Sequence, residues 1–355
     1  MRRLAAFIAL ALFASSCGVS TRIEAATPSV TPAGVPGPGA TGPTSTPSPS
    51  PSATASAAPR PIADLLGEID PARLDAHLRA LTDVVSRDPR HPGHAKAVAY
   101  VKAQLAALGA NVTIESQRTV SQGIPLENIF ATIDPLATPA GTGWVLVSAH
   151  YDSIANRTPG WRPSSDPAPG ADDNATGTSS LLEFARILSG ERARLRSRVV
   201  LAFFDGEELF FKGSGAYMAT LERPYPYKAA LNLDMVGFNP VADRLDLLWY
   251  TNASAGLRDR VIKANDTYTI GVSPLNAQYA ADGNTIMDAA PFGIAGIPSV
   301  ALCQRYGEND ATFPGNYTFH TVNDTPDKIT NARLWLKAAK LTLAVALELA
   351  QEPAP

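Results

Sequence analysis

The chain has 355 residues, of which 45 % are hydrophobic, and its formal net charge is −3 at pH 7. This length is enough to bury the core of one large domain or of two small ones. Because the charge is close to balanced and no concentrated basic face is evident, the composition argues against a nucleic-acid partner.

The start of the chain has the pattern of a signal peptide. Two arginines precede the apolar run 4–13, which is too short to span a membrane and is followed by three small residues. Cys17 comes next, at the position that bacterial lipoproteins lipidate, although Ala14 stands where leucine is usual. We therefore predict that residues 1–16 are removed, that Cys17 carries a lipid, and that the protein is extracytoplasmic. It is then a cell-surface lipoprotein or, without the lipid, a secreted protein.

Cys17 is expected to determine whether the protein stays with the membrane. The Cys17→Ser variant lacks the thiol that would carry the lipid, and the lipid is the membrane contact predicted here. Cell fractionation should therefore find the wild type with the membranes and the variant in the soluble fraction. Equal solubility of the two proteins would contradict the anchor.

The next segment, 17–61, is predicted to be a disordered stalk. From Thr27 to Pro61 it consists almost wholly of Pro, Thr, Ser, Ala and Gly, which cannot bury enough apolar surface to offset the entropy lost on ordering. Residues 62–355 are then a single folded domain. The other cysteine, Cys303, follows an apolar run and is predicted to be buried and free.

Strand and helix patterns alternate through this domain. The helical patterns cover 92–108, 176–188 and 334–349, and the strand patterns cover 112–116, 128–133, 144–147, 199–204, 228–233 and 299–302. Such alternation predicts an α/β domain of three layers, in which helices flank a mixed and mostly parallel central sheet. In these folds the ligand crevice lies beyond the carboxyl ends of the strands.

Five polar clusters stand at predicted strand ends or loop tips. Each has an ordinary interpretation by itself, since Asp and Asn cap helices and paired glutamates are often surface charge. Together, however, they bring imidazole and carboxylate groups to one rim, and these are groups that zinc binds. The sequence therefore predicts a metal site formed by the clusters 150–152, 170–177, 205–208, 232–235 and 319–321.

At these clusters the chain resembles the secreted bacterial di-zinc aminopeptidases, a family that also includes glutamate carboxypeptidases and glutaminyl cyclases. The likeness runs in order from Leu74 to Leu347 through the stretches 148–153, 169–177, 204–209, 232–237 and 320–325. It implies a zinc-dependent exopeptidase acting on peptides, most simply an aminopeptidase that removes N-terminal residues. Glutaminyl cyclisation, carboxypeptidase action and a non-catalytic binding protein with an inactive zinc site are the alternatives.

The resemblance also implies the ligands of two zinc ions. One ion is held by His150 and Asp234, and the other by Glu208 and His320. Asp173 bridges both ions, with Asp172 as the alternative bridging residue, and the peptide bond after the bridging residue is expected to be cis.

Two further acids receive catalytic roles by resemblance. Glu207 is the general base toward a water molecule shared by the zinc ions, and Asp152 orients His150 through the other ring nitrogen. The chain departs from some relatives in having Phe319 where they have a tyrosine that stabilises the oxyanion. Tyr279 is a candidate substitute. Asp288 is retained from a motif whose histidine is absent here.

Overall fold

The computed structural model describes residues 22–24, 60–137, 141–280, 287–304 and 315–352. The signal peptide, Cys17 and nearly all of the stalk lie outside these ranges and remain predictions. Within the predicted disordered stalk, however, residues 22–24 form a strand. None of the helices in the described ranges combines the length and apolar character that crossing a bilayer requires.

Within these ranges nine strands form one mixed sheet, in the order β1-β2-β3-β5-β4-β6-β9-β7-β8. The strands are β1 (Arg22–Glu24), β2 (Thr113–Ser121), β3 (Ile124–Ile133), β4 (Trp144–His150), β5 (Val199–Phe204), β6 (Tyr227–Asp234), β7 (Leu245–Trp249), β8 (Leu275–Tyr279) and β9 (Ser299–Cys303). The central strands β5, β4, β6 and β9 are parallel, and β7 pairs in parallel with β8. The remaining pairs are antiparallel. The predicted α/β fold with a mixed sheet is confirmed, and its parallel character lies mainly in the centre.

Helices cover both faces of this sheet. They are α1 (Ile62–Leu66), α2 (Pro71–Thr82), α3 (Pro92–Ala106), α4 (Thr176–Gly190), α5 (Lys212–Met218), α6 (Ala255–Thr267), α7 (Ala290–Ile294) and α8 (Ala332–Gln351). Several begin at a recognisable cap. For example, the Asp70 side chain accepts a hydrogen bond from the Ala72 N–H at 2.8 Å, and Pro71 occupies the first turn of α2.

The two faces of the sheet belong to separate apolar clusters, because successive side chains of a strand point in opposite directions. In β5, Val199, Leu201 and Phe203 join the large core under α1, α2, α3, α4, α6 and α8. Their neighbours Val200, Ala202 and Phe204 join a smaller core, which Phe292 of α7 completes and against which α5 packs. The domain therefore has the three predicted layers.

The parallel strands bring polar residues to one edge of the sheet. β4 ends at His150 and β6 at Asp234, while the glutamates Glu207 and Glu208 follow the end of β5. Because these three strands are neighbours and run in the same direction, their carboxyl ends meet. Cys303, at the end of β9, is free and buried as the sequence predicts.

Candidate metal centre

Asp173 lies between the two histidines that the sequence singles out. Its Oδ1 is 3.2 Å from Nε2 of His150, and its Oδ2 is 3.0 Å from Nε2 of His320. One carboxylate therefore presents one oxygen to each imidazole. The peptide bond between Asp173 and Asn174 is cis, as the resemblance implies.

Two groups of potential ligands meet at this carboxylate. His150, Asp173 and Asp234 form one group, and Asp173, Glu208 and His320 form the other, with the ligand atoms of each group within 4.8 Å of one another. Nε2 of His150 is 3.4 Å from Oδ1 of Asp234, and Nε2 of His320 is 2.7 Å from Oε2 of Glu208. The structure thus brings together all five ligands that the resemblance implies.

The chemistry of this donor set fits zinc, which accepts imidazole nitrogen and carboxylate oxygen. Burial, together with the nearby Asp173 carboxylate, raises the pKa of Glu208 to about 8. Burial opposes the charged form of His320, but Glu208 and Asp173 outweigh it and raise the pKa of that imidazole to about 11. Without metal, bound protons therefore balance the negative charge of the clustered carboxylates. A metal cation would replace these protons. Oε1 of Glu208 is buried and lacks a hydrogen-bond partner among the described residues, which leaves an oxygen available to a metal ion.

Asp152 connects the turn that carries the glutamates to the end of β4. Its Oδ1 accepts a hydrogen bond from the Glu207 N–H and its Oδ2 accepts one from the Glu208 N–H, both at 3.2 Å. Oδ1 also lies 3.3 Å from Nδ1 of His150, although the alignment there is poorer than in a regular hydrogen bond. Asp152 is therefore placed to orient both the imidazole and the paired glutamates.

The neighbouring aspartate, Asp172, has other partners. Its Oδ1 accepts a hydrogen bond from the Gly237 N–H, and its Oδ2 accepts one from Nδ2 of Asn316, both at 2.7 Å. It therefore connects two loops beneath the site, whereas Asp173 faces the histidines.

Two buried ionisable residues that support the site were not singled out from the sequence. Asp324 accepts hydrogen bonds from the N–H groups of Asp172 and Asp173, at 3.1 and 3.0 Å, and so ties the loop of His320 to the turn of Asp173. Arg87 is fully buried and donates to the carbonyl oxygens of Tyr151 at 2.6 Å and Gly170 at 2.8 Å, among others. Burial lowers the pKa of its guanidinium to about 10, so it stays charged at neutral pH and offsets nearby carboxylates. Asp324 lies in a family-like stretch, but no local pattern marks Arg87.

The two residues that the sequence left without a settled role lie in different surroundings. Asp288 is buried near the site, burial raises its pKa to about 7, and neither carboxylate oxygen has a hydrogen-bond partner among the described residues. Tyr279 lies on the edge strand β8 and packs on Trp249, with 4.3 Å between ring centroids. It is not among the residues that line the cavity beside the metal ligands.

This cavity has a volume of about 240 Å³ and opens onto both groups of ligands. Glu207 and four of the ligand residues, Asp173, Glu208, Asp234 and His320, supply its polar lining together with Asn156. The rest of the wall is apolar and consists of Phe210, Phe211, Met235, Met287 and Phe319. A cavity of this kind can enclose an apolar group beside the metal ligands.

The comparisons with known proteins agree on one family. The model of peptidase family M28 matches residues 128–346. YfbL of Escherichia coli, which is itself uncharacterised, is 27 % identical over 74 % of this chain and 84 % of its own length. The aminopeptidase YwaD of Bacillus subtilis is 30 % identical over 59 % of this chain and 42 % of its own length. A probable leucine aminopeptidase of Arthroderma otae is 30 % identical over 58 % of this chain and 54 % of its own length, so the chain spans about half of these last two relatives.

Solved structures support the fold. The LapA aminopeptidase of Legionella pneumophila superposes with a TM-score of 0.67 at 20 % identity, covering 82 % of this chain and 75 % of its own. The glutaminyl cyclase of Porphyromonas gingivalis superposes with a TM-score of 0.63 at 22 % identity, covering 79 % of this chain and 98 % of its own. The family model covers more than half of the chain, and the chain belongs to peptidase family M28.

Proposed function

We propose that this zinc peptidase is an aminopeptidase that binds two zinc ions and removes N-terminal residues from peptides. The observation that carries the proposal is the Asp173 carboxylate, which directs one oxygen toward each of two separate groups of ligands. A single-metal site needs no such shared residue, whereas a carboxylate that faces two groups of ligands can hold two ions at the short separation of a two-metal site.

In this proposal His150 and Asp234 hold one ion, Glu208 and His320 hold the other, and Asp173 contributes to both. Bound zinc would polarise the scissile carbonyl and make a water molecule more acidic. Glu207 lines the cavity beside the ligands and is the group that would take the proton of that water and pass it to the leaving amine.

The charges around the cavity favour an N-terminal over a C-terminal substrate end. None of the described residues that line the cavity is lysine or arginine, so none of them offers a cation for a peptide's terminal carboxylate. The polar part of the lining consists mainly of carboxylates, and such surroundings suit a terminal ammonium group better than a terminal carboxylate. Only three residues also separate Glu208 from α5, at the place where cyclases of the resembling family carry an insertion. Both observations support aminopeptidase action over the alternatives.

Zinc analysis together with a substrate panel tests this function. We expect the purified protein to contain two zinc ions per chain and to release nitroaniline from leucine p-nitroanilide. The matched N-acetyl-leucine p-nitroanilide should not react, because it lacks the free amine. Cyclisation of an N-terminal glutamine peptide without anilide release would indicate a cyclase. Release of C-terminal residues would indicate a carboxypeptidase, and bound zinc without turnover of any substrate would indicate a binding protein.

A further inference from the structure

The turn after the paired glutamates has an unusual backbone. The Phe211 N–H donates to the Glu207 carbonyl at 2.9 Å, and the Lys212 N–H donates to the Gly206 carbonyl at 3.0 Å. These bonds turn the chain back on itself directly after the glutamates. The turn places Phe210 and Phe211 in the left-handed region, with φ of 67° and 55°.

Phenylalanine is a poor residue for such a position. A side chain with a Cβ atom is strained at positive φ, whereas glycine adopts this conformation freely. Burial does not compensate for the strain at Phe210, because 78 % of this residue is exposed to solvent. Neither the backbone nor the core therefore accounts for an aromatic ring at this position, and strained residues of this kind cluster at functional sites.

The ring of Phe210 lies where it would meet substrate. It lines the cavity together with Glu207 and Glu208, on the segment of chain that carries both glutamates. In the proposed reaction Glu207 passes a proton to the leaving amine, so the residue that contains this amine lies on the same side of the cavity.

We propose that Phe210 is a specificity-determining residue that packs against the side chain following the scissile bond and favours peptides with a large apolar second residue. This inference rests on the proposed aminopeptidase activity. The strained ring of Phe210 then serves substrate recognition, so this side chain should contribute to substrate preference and not to the stability of the fold.

The test compares Phe210→Gly with the wild type on the dipeptides Leu-Phe and Leu-Ala. We expect the ratio of kcat/KM for Leu-Phe to kcat/KM for Leu-Ala to fall about tenfold, as for the loss of one apolar contact in a pocket. The melting temperature should rise, because glycine relieves the strain, and zinc per chain should not change. Phe210→Ala should lose the same preference without the gain in melting temperature. Thr269→Gly is the matched control, since Thr269 is exposed with φ of 52° after α6 and should affect stability alone.

Several results would overturn this assignment. Equal losses on both dipeptides would mean that Phe210 shapes the turn and not the substrate preference. A changed preference among first residues, measured with alanine, leucine and phenylalanine anilides, would place Phe210 at the N-terminal side chain instead. A lower melting temperature would show that the ring serves packing. If the wild type cleaves none of these peptides, the proposed function itself fails, which is a distinct outcome.

Discussion

Replacing Asp173 with alanine is expected to abolish zinc binding as well as peptide hydrolysis. Because its two oxygens face His150 and His320 separately, removing this carboxylate takes a ligand from both groups at once. Loss of a helix cap alone would cost only about 1 kcal/mol of stability and would leave the metal in place. Elemental analysis of the purified variant, with circular dichroism to confirm folding, measures this difference.

Asp172→Ala is the matched control for this prediction. Asp172 is the adjacent buried carboxylate, but it bonds to Gly237 and Asn316 and not to the histidines. We expect this variant to lose stability, by about 1–3 kcal/mol for the buried donors left without a partner, and to retain zinc. Full zinc occupancy in Asp173→Ala, with loss of zinc in Asp172→Ala, would show that the other aspartate bridges the metals.

Glu207→Gln is expected to lower kcat by about 10²–10⁴-fold while leaving zinc content unchanged, because loss of a general base has effects of this size. The amide keeps the size and shape of the side chain but cannot accept the proton. The bond between the Glu207 N–H and Asp152 involves only the backbone of Glu207 and is retained, so the turn should keep its position. Steady-state kinetics with leucine p-nitroanilide, together with zinc analysis, checks both parts.

Glu208→Gln is the matched comparison for Glu207→Gln, because Glu208 is the adjacent glutamate and has the same side chain. Oε2 of Glu208 is 2.7 Å from Nε2 of His320, within the second group of ligands. We expect this variant to lose one zinc ion per chain and to regain part of its activity when zinc is added. Zinc loss in Glu207→Gln would reverse the roles of the pair, and near-normal turnover in Glu207→Gln would mean that another group moves the proton.

The strands and helices that carry the site could be predicted because their signals are local. β5 is a continuous apolar run, and its predicted bounds, 199–204, agree with the structure. α3 was predicted at 92–108 and ends at Ala106. The amphipathic helices α2 and α6 and the strands β7 and β8 at one end of the sheet were not predicted from the sequence. They are shorter or more polar, and packing against the rest of the domain stabilises them more than local propensity does.

The sequence by itself determined the chemical identity of the candidate site: imidazoles and carboxylates placed after buried strands and before a helix. That much follows from residue type and order. Only the tertiary structure decided that Asp173 and not Asp172 faces the histidines, that Tyr279 packs on Trp249, and that Arg87 lies beneath the site. Each of these depends on the direction of a side chain and on contacts between distant residues, such as the hydrogen bond from Asp173 to Asp324, 151 positions apart. Local sequence patterns carry no information about such contacts, because they form only when the strands pair and the helices pack.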